Sequence, residues 1–277
     1  MSALAAAGYL APRPLAVAVF LAVALRRPLL LEGEAGVGKT AAALALAQAL
    51  QKPLVRLQCY EGIDAAAAVY DWDYPRQLLA AKLRPDSAPK DLYGEEFLLR
   101  RPLLRALTAK PVPVLLIDEI DRADEPFEAY LLELLAEWQI TVPELGTIKT
   151  DVPPPVVLTS NRSREIHDAL RRRCLYHWVD FPAAARETEI IRLHHPSLDE
   201  SLAAQITAFV RRLRTLDLYK LPGIAETADW AGAVLRMDES GLREETAAET
   251  LGVLLKYKDD IARAREYGVG NLLRGDG

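Results

Sequence analysis

The chain is poor in metal- and thiol-bearing residues. Its 277 residues hold two cysteines and four histidines. Cys59 and Cys174 lie far apart and no CxxC occurs, so cysteine supplies neither a zinc clamp nor a redox pair, and a reducing compartment is expected. Among His167, His177, His194 and His195 no pair is spaced i, i+4 around a glutamate. The neighbours His194 and His195 point to different helix faces, so no histidine metal site is expected. GxSxG is missing, which removes support for serine hydrolysis. NKxD is missing too, which counts against a switch GTPase. There is no basic excess. Lys and Arg number 34 against 39 Asp and Glu, a net charge of −5, the wrong balance for a protein whose main task is to grip nucleic-acid backbone. Long apolar runs are absent as well. The longest, Leu15 to Leu25, falls short of the roughly 20 residues of a membrane span. Arg26-Arg27-Pro28 and a glycine loop follow it at once, so it reads as a buried helix rather than a signal peptide. A cytoplasmic location is expected.

What is present describes an ordinary globular protein: 51% apolar and 26% charged residues, enough for one large or two modest domains. No internal repeat or low-complexity tract appears. The first half alternates short apolar runs with helical patterns, which argues for an α/β fold. Candidate strands are Pro28–Leu31, Leu54–Cys59, Val112–Ile117, Val156–Ser160 and Tyr176–Val179. The runs at 112 and 156 are apolar almost throughout, as parallel strands buried on both faces should be. Residues 40–50 are nearly all strong helix formers. Phe127, Tyr130, Leu131, Leu134, Leu135 and Trp138 are spaced as one face of a helix, with Pro126 suited to its first turn. Trp138 and Trp230 read as core residues. Ile140-Thr-Val and Thr147-Ile-Lys flank Glu144-Leu145-Gly146 and predict a β-hairpin. After Pro182 strand signals stop, and helical patterns follow at 184–194, 199–215, 225–237 and 245–264. This divides the chain into an α/β domain, residues 1–182, and an all-helical domain, residues 183–277.

Gly33-Glu34-Ala35-Gly36-Val37-Gly38-Lys39-Thr40 fits GxxxxGK[ST], between a predicted strand and a predicted helix. Glycines let backbone N–H groups turn inward around phosphate oxygens, and the helix adds its N-terminal dipole. Lys39 would place a charge on the β/γ-phosphates, and the Thr40 hydroxyl would ligate Mg2+. The strand Val114–Ile117 ends in Asp118-Glu119, at the strand end that faces the ligand crevice of a parallel sheet. Asp118 would hold the Mg2+ shell and Glu119 would polarise the attacking water. Asp121, Asp124 and Glu125 read as solvated loop acids. Val156–Ser160 ends likewise in Asn161, which could orient the water, touch the γ-phosphate or serve only as a turn residue. Arg171-Arg172-Arg173 is either a solvated run or the source of a catalytic arginine.

This ordered set resembles the AAA+ ATPases, and within them the MoxR family and its CoxD-like group. The likeness rests on GEAGVGKT, RLQCYEGID, DEIDRADEPFEAYLLELLAEWQITVPELGTI, TSNRSREIHDALRRRCLYHWVDFP and LPGIAETADWAGAVL, and spans nearly the whole chain. It implies a parallel sheet of five strands in the order 5-1-4-3-2 with a small helical lid. It also implies a homo-oligomer, a hexameric ring with ATP and Mg2+ between neighbours. Lys39 and Thr40 then match Walker A, Asp118 and Glu119 Walker B, and Asn161 sensor 1. The arginine finger falls on Arg172 or Arg173, and we prefer Arg173, although Cys174 stands where phenylalanine is usual. The hairpin at 140–149 matches the insert before sensor 1, and residues 61–105 match a client-contacting insert. The sensor 2 arginine of the family is not found in Leu221–Trp230: it is missing, replaced, or supplied by Arg236 one helix face away, and no residue is assigned to it. Tyr9 and Leu10 would line the adenine pocket. The family implies a protein with a von Willebrand factor A domain as partner. The group implies a molybdenum hydroxylase such as carbon monoxide dehydrogenase as client. Nucleic acid and membrane are not expected as partners. The competing readings are a nucleic-acid motor, such as a clamp loader or helicase-like ring, and a nucleotide-dependent scaffold with little turnover, against which Glu119 argues.

Overall fold

The computed structural model describes residues 2–83, 92–237 and 241–275. In chain order the first part holds α1 (Ser2–Ala6), α2 (Arg13–Leu25), β1 (Leu29–Glu32), α3 (Lys39–Ala49), β2 (Leu54–Gln58), α4 (Ala65–Val69), β3 (Tyr70–Trp72) and α5 (Tyr74–Leu83). There follow β4 (Leu98–Arg100), α6 (Pro102–Thr108), β5 (Val114–Asp118), α7 (Glu125–Glu137), β6 (Gln139–Val142), β7 (Gly146–Lys149), β8 (Val156–Ser160), α8 (Asp168–Arg173) and β9 (Leu175–Trp178).

Five strands form one sheet in the order β2-β5-β8-β1-β9, every pair parallel. Counted among these five alone and read from β9, the order is 5-1-4-3-2, as the family resemblance implies. The central strands β5 and β8 are buried at every position. Leu115 and Ile117 join a cluster with Leu103, Leu104, Phe127 and Leu131. The alternate residues Val114, Leu116 and Val157 are equally buried, so both faces of the sheet are covered. Edge strand β2 is polar at alternate positions, with Arg56 and Gln58 exposed. The hairpin β6–β7 forms as its sequence predicts. The 61–105 block contains α4, α5 and a small pair of strands, β3–β4; its residues 84–91 lie outside those described.

Two local expectations hold only in part, for α2 and for Trp138, which packs against the sheet domain's core without being fully buried. Helix α2 is buried only along Leu15, Ala16, Val19 and Ala22, while Phe20 is 68% exposed. Trp138 is half-buried: it caps the end of α7 in the left-handed region, at φ 53°, where a large side chain is uncommon.

By its contacts the chain divides into two compact units. One contains the chain up to Gly33 and Lys39–Trp178, and the other Glu34–Gly38 and the chain from Val179. The second is helical: α9 (Ala184–His194), α10 (Glu200–Leu213), α11 (Ile224–Arg236), α12 (Glu244–Leu254), α13 (Lys258–Tyr267) and α14 (Val269–Arg274). Its core gathers Ile191, Phe209, Trp230, Val234, Leu251 and Leu272. Phe209 and Trp230 are fully buried with ring centroids 4.9 Å apart, each burial contributing about 1.5–3 kcal/mol. The Trp230 indole N–H donates to Thr250 Oγ1 at 2.7 Å. The single helix expected over 245–264 is broken at residues 255–257, where Leu255 turns extended and is 2% exposed. Burial of that leucine overrides helix propensity.

Candidate active site

The phosphate loop leaves β1 and enters α3 at Lys39. Gly36 and Gly38 sit at φ 79° and 95°, conformations open to glycine and strained for other residues. A side chain at Gly36 would also lie 2.6 Å from Gly223 Cα. Within the same compact unit the Ile224 N–H donates to the Gly36 carbonyl at 2.8 Å, which fixes the loop tip. Lys39 is 6% exposed and its ammonium donates to the Gly33 carbonyl at 2.8 Å.

Parallel register sets the polar end of the sheet. Ile117 pairs with Leu158, so Asp118 lies beside Thr159. Asp118 is 2% exposed, a charge that needs partners to remain buried. It has three. The Thr159 hydroxyl donates to Oδ1, the Thr40 hydroxyl lies 3.1 Å from Oδ1 and 3.3 Å from Oδ2, and Arg56 Nη2 lies 2.6 Å from Oδ2. Thr159 Oγ1 also accepts the Glu119 N–H at 2.9 Å. Glu119 itself adopts φ 55°, ψ 50°, a left-handed conformation that costs a non-glycine residue about 1–3 kcal/mol. Its Oε2 accepts from Gln58 Nε2 and from Arg122 Nε, both at 3.0 Å. A hydroxyl and a carboxylate at this spacing are the hard oxygen donors that Mg2+ takes. Thr40 and Asp118 therefore fit the metal, and the buried ammonium of Lys39 fits the charge of a phosphate.

The segment after β8 is held by buried acids. Asp121 is 3% exposed, not the solvated loop acid its sequence context predicts. Its carboxylate accepts the backbone N–H of Asn161 at 3.2 Å and of Ser163 at 2.8 Å, and the Ser163 hydroxyl at 2.6 Å. The reason is local: one turn after β5 brings Asp121 under the end of the neighbouring strand. Glu128, 1% exposed on α7, receives Arg164 and the His167 N–H, the latter at 2.7 Å. His167 then starts α8, its Nδ1 accepting the Ala169 N–H at 3.2 Å.

The structure thus brings Thr40, Asp118 and Glu119 together, with Asn161 tied to the same loop through Asp121. The three arginines of α8 differ. Arg171 pairs with buried Glu32, and Arg172 with Asp168 at 3.2 Å. Arg173 is exposed, and among the described residues no hydrogen bond joins its guanidinium to the Asp118–Glu119 cluster. Tyr9 and Leu10 are half-buried ahead of α2, and the Tyr9 N–H donates to Leu4 O at 2.9 Å. At the start of α11 Glu226 caps the Gly223 N–H at 3.1 Å, and Arg236 donates to the Gly232 carbonyl at 2.9 Å.

Sequence reasoning missed Arg56, Gln58, Asp121, Glu128 and Thr159. For the first two a signal existed in Leu-Val-Arg-Leu-Gln, whose polar residues alternate along a strand that ends level with Asp118. Both cysteines are buried thiols. Desolvation first, helped by the nearby acids, pushes Cys59 up to about 12, and desolvation pushes Cys174 up to about 12 against the lowering effect of Arg27. Among the described residues no helix is long and apolar enough to cross a membrane, and no group of three or more His, Cys, Asp or Glu could hold a metal.

The model of the ATPase family associated with various cellular activities (AAA) matches residues 29–180. No curated protein matches the chain by sequence. Among solved structures, the Thermotoga maritima RuvB Holliday junction branch migration motor is 19% identical, with a TM-score of 0.51 over 90% of this chain and 69% of that one. A single-substitution variant of the same RuvB gives 19% identity and a TM-score of 0.53 over 89% and 70%. A candidate ATPase from Cytophaga hutchinsonii is 14% identical, with a TM-score of 0.51 over 98% and 91%. At these identities the structural likeness bears on the fold alone.

Proposed function

Since this chain belongs to the AAA family of ATPases, which hydrolyse ATP with Mg2+, we propose that it is a MoxR-type ATPase of the CoxD-like group that remodels a partner protein. The observation that carries the hydrolytic part is the cluster of half-buried Thr40 with buried Asp118 and Thr159, and Glu119 turned left-handed beside it. Lys39 binds the β/γ-phosphates, and Thr40 and Asp118 hold the metal, which offsets phosphate charge when bound. Glu119 takes a proton from the attacking water, whose oxygen bonds to the γ-phosphorus as the bond to the β-phosphate bridging oxygen breaks. Asn161 orients that water. Arg173, with Arg172 as the alternative, reaches the site of a neighbouring copy and neutralises charge on the transferring phosphoryl group. On this reading the chain works as a homo-oligomeric ring in the cytoplasm. Its partners are a von Willebrand factor A domain protein and a client metalloenzyme of the molybdenum hydroxylase type. The α7–hairpin block before β8 and the 61–105 block supply the surfaces. Within the latter, α5 leaves Leu78, Leu79 and Leu83 exposed at 61%, 57% and 72%.

The test is Glu119→Gln. It keeps ATP binding and lowers turnover by about 10²-fold or more, the scale of losing a catalytic base. Wild-type turnover should rise with the von Willebrand A partner and not with DNA. Stimulation by DNA alone would favour a nucleic-acid motor, the reading to which the RuvB-like fold lends its one supporting observation.

A further inference from the structure

The finger reading leaves one question: what holds Arg173 in place? Arg173 ends α8, a helix of six residues, and Cys174 already leaves the helix. So short a helix has little stability of its own. Its last carbonyls carry the negative end of the peptide dipoles and have no intrahelical partner. Arg27 occupies that end. Its Nη2 donates to the carbonyl of Arg172 at 2.9 Å, of Arg173 at 3.1 Å and of Cys174 at 3.5 Å, while Nε donates to Arg173 O at 3.3 Å. One guanidinium thereby spans three successive carbonyls across a sequence separation of about 146 residues. The guanidinium does this from two nitrogens held in one rigid plane, a geometry that a lysine ammonium on a flexible stem does not fix. Within α8, Arg171 pairs with Glu32 and lies with its guanidinium carbon 5.5 Å from the Tyr176 ring centroid. Arg27 precedes β1 and Glu32 ends it, so both contacts bear on the strand that leads into the phosphate loop.

We propose that Arg27 is a positioning residue for hydrolysis: it clamps the carbonyls of residues 172–174 and aims the Arg173 side chain at the site of a neighbouring copy. This rests on Arg173 acting in trans. The experiment separates the two ideas. Arg27→Ala, Arg27→Lys, Arg173→Ala and Lys39→Ala are each purified full-length, checked for folding by thermal melt, and assayed alone and in equal mixtures.

Alone, Arg27→Ala should lose about 10²-fold in kcat, the scale of a 1 Å misplacement, with KM for ATP within about two-fold of wild type. Arg27→Lys should recover part of that loss, because its ammonium keeps a charge-assisted bond to the carbonyls without the fixed plane of the guanidinium. Mixed with Lys39→Ala, Arg27→Ala should regain turnover well above either parent. Its own phosphate loop is intact, and its Lys39→Ala neighbour offers a properly clamped finger. A residue needed only for folding would show no such rescue and would shift KM as well. Rescue of Arg173→Ala by Lys39→Ala without rescue of Arg27→Ala, or full kcat in Arg27→Ala alone, overturns the clamp while leaving the trans finger standing. Failure of the Arg173→Ala mixture overturns the trans finger and the clamp with it. If Arg27→Ala does not fold, the same mixtures are read with Arg27→Lys, where wild-type kcat alone or absence of rescue overturns the proposal.

Discussion

Each of the two compact units buries acids, and they do so for different ends. In the first unit Glu32, Asp118, Asp121 and Glu128 are all 3% exposed or less, and all lie at or just beyond the ends of β1 and β5 or on the helix that follows. Each holds something that reaches forward: Arg171, the Thr40–Thr159 pair, the Asn161 backbone, the segment entering α8. In the second unit Glu187, fully buried, receives Arg214 through both oxygens at 2.9 and 2.7 Å, with the Arg214 guanidinium carbon 4.1 Å from the Phe181 ring centroid. Asp260 caps the backbone N–H groups of Tyr219 and Lys220 at 2.7 and 3.2 Å. Those contacts close a loop and a helix junction. The difference teaches that burial of a carboxylate marks an organised site only where its partners are themselves positioned for chemistry. Elsewhere the same geometry serves stability.

Removing one carboxylate from each unit puts that distinction at risk. The largest effect on stability belongs to Glu187→Ala. It leaves Arg214, 7% exposed, without its counter-charge and should cost about 3–5 kcal/mol, read from urea unfolding followed by circular dichroism. An unchanged midpoint would mean that the pair contributes nothing. Asp121→Ala comes next. Two backbone N–H groups and the Ser163 hydroxyl lose their acceptor, a cost of about 1–3 kcal/mol. Its larger signature is kinetic: kcat should fall about ten-fold or more with KM for ATP retained, because Asn161 shifts. A loss of stability with normal kcat would make Asp121 no different in kind from Glu187. The smallest effect concerns the thiols. Folded protein at pH 8 should resist alkylation at Cys59 and Cys174, since both are protonated well above their ordinary value of 9.0. The sign follows from the upward shift. The stability tied to these thiols is full below pH 9.0 and is lost as pH rises toward about 12, so labelling should appear only with alkaline unfolding.

How much of this could be read beforehand depended on range. Strand β8 was legible to the residue, because Val156-Val157-Leu158 and the β-prone Thr159 lie bounded by Pro155 and Asn161. The phosphate loop was legible because its chemistry is contained in eight consecutive residues. Asp121 was not. Asp118, Glu119, Asp121, Asp124 and Glu125 crowd one short stretch, and only a strand whose partners sit about 40 residues away selects which of them is buried. The clamp on α8 is longer in range still, since nothing near Arg27 in sequence announces three carbonyl acceptors. The break of the last long helix at Leu255 was hidden for a related reason: no glycine or proline stands there, and the core alone calls the leucine inward.

The left-handed turn at Glu119 carries a consequence for how this sequence can drift. Glycine would sit at φ 55° without strain, and a folding-only optimisation would install it there. If Glu119 is the base proposed above, position 119 is a place where thermal hardening and turnover pull in opposite directions. On that proposal, a stabilised descendant of this chain that had exchanged its glutamate for glycine would be a sturdier protein that had forgotten its reaction.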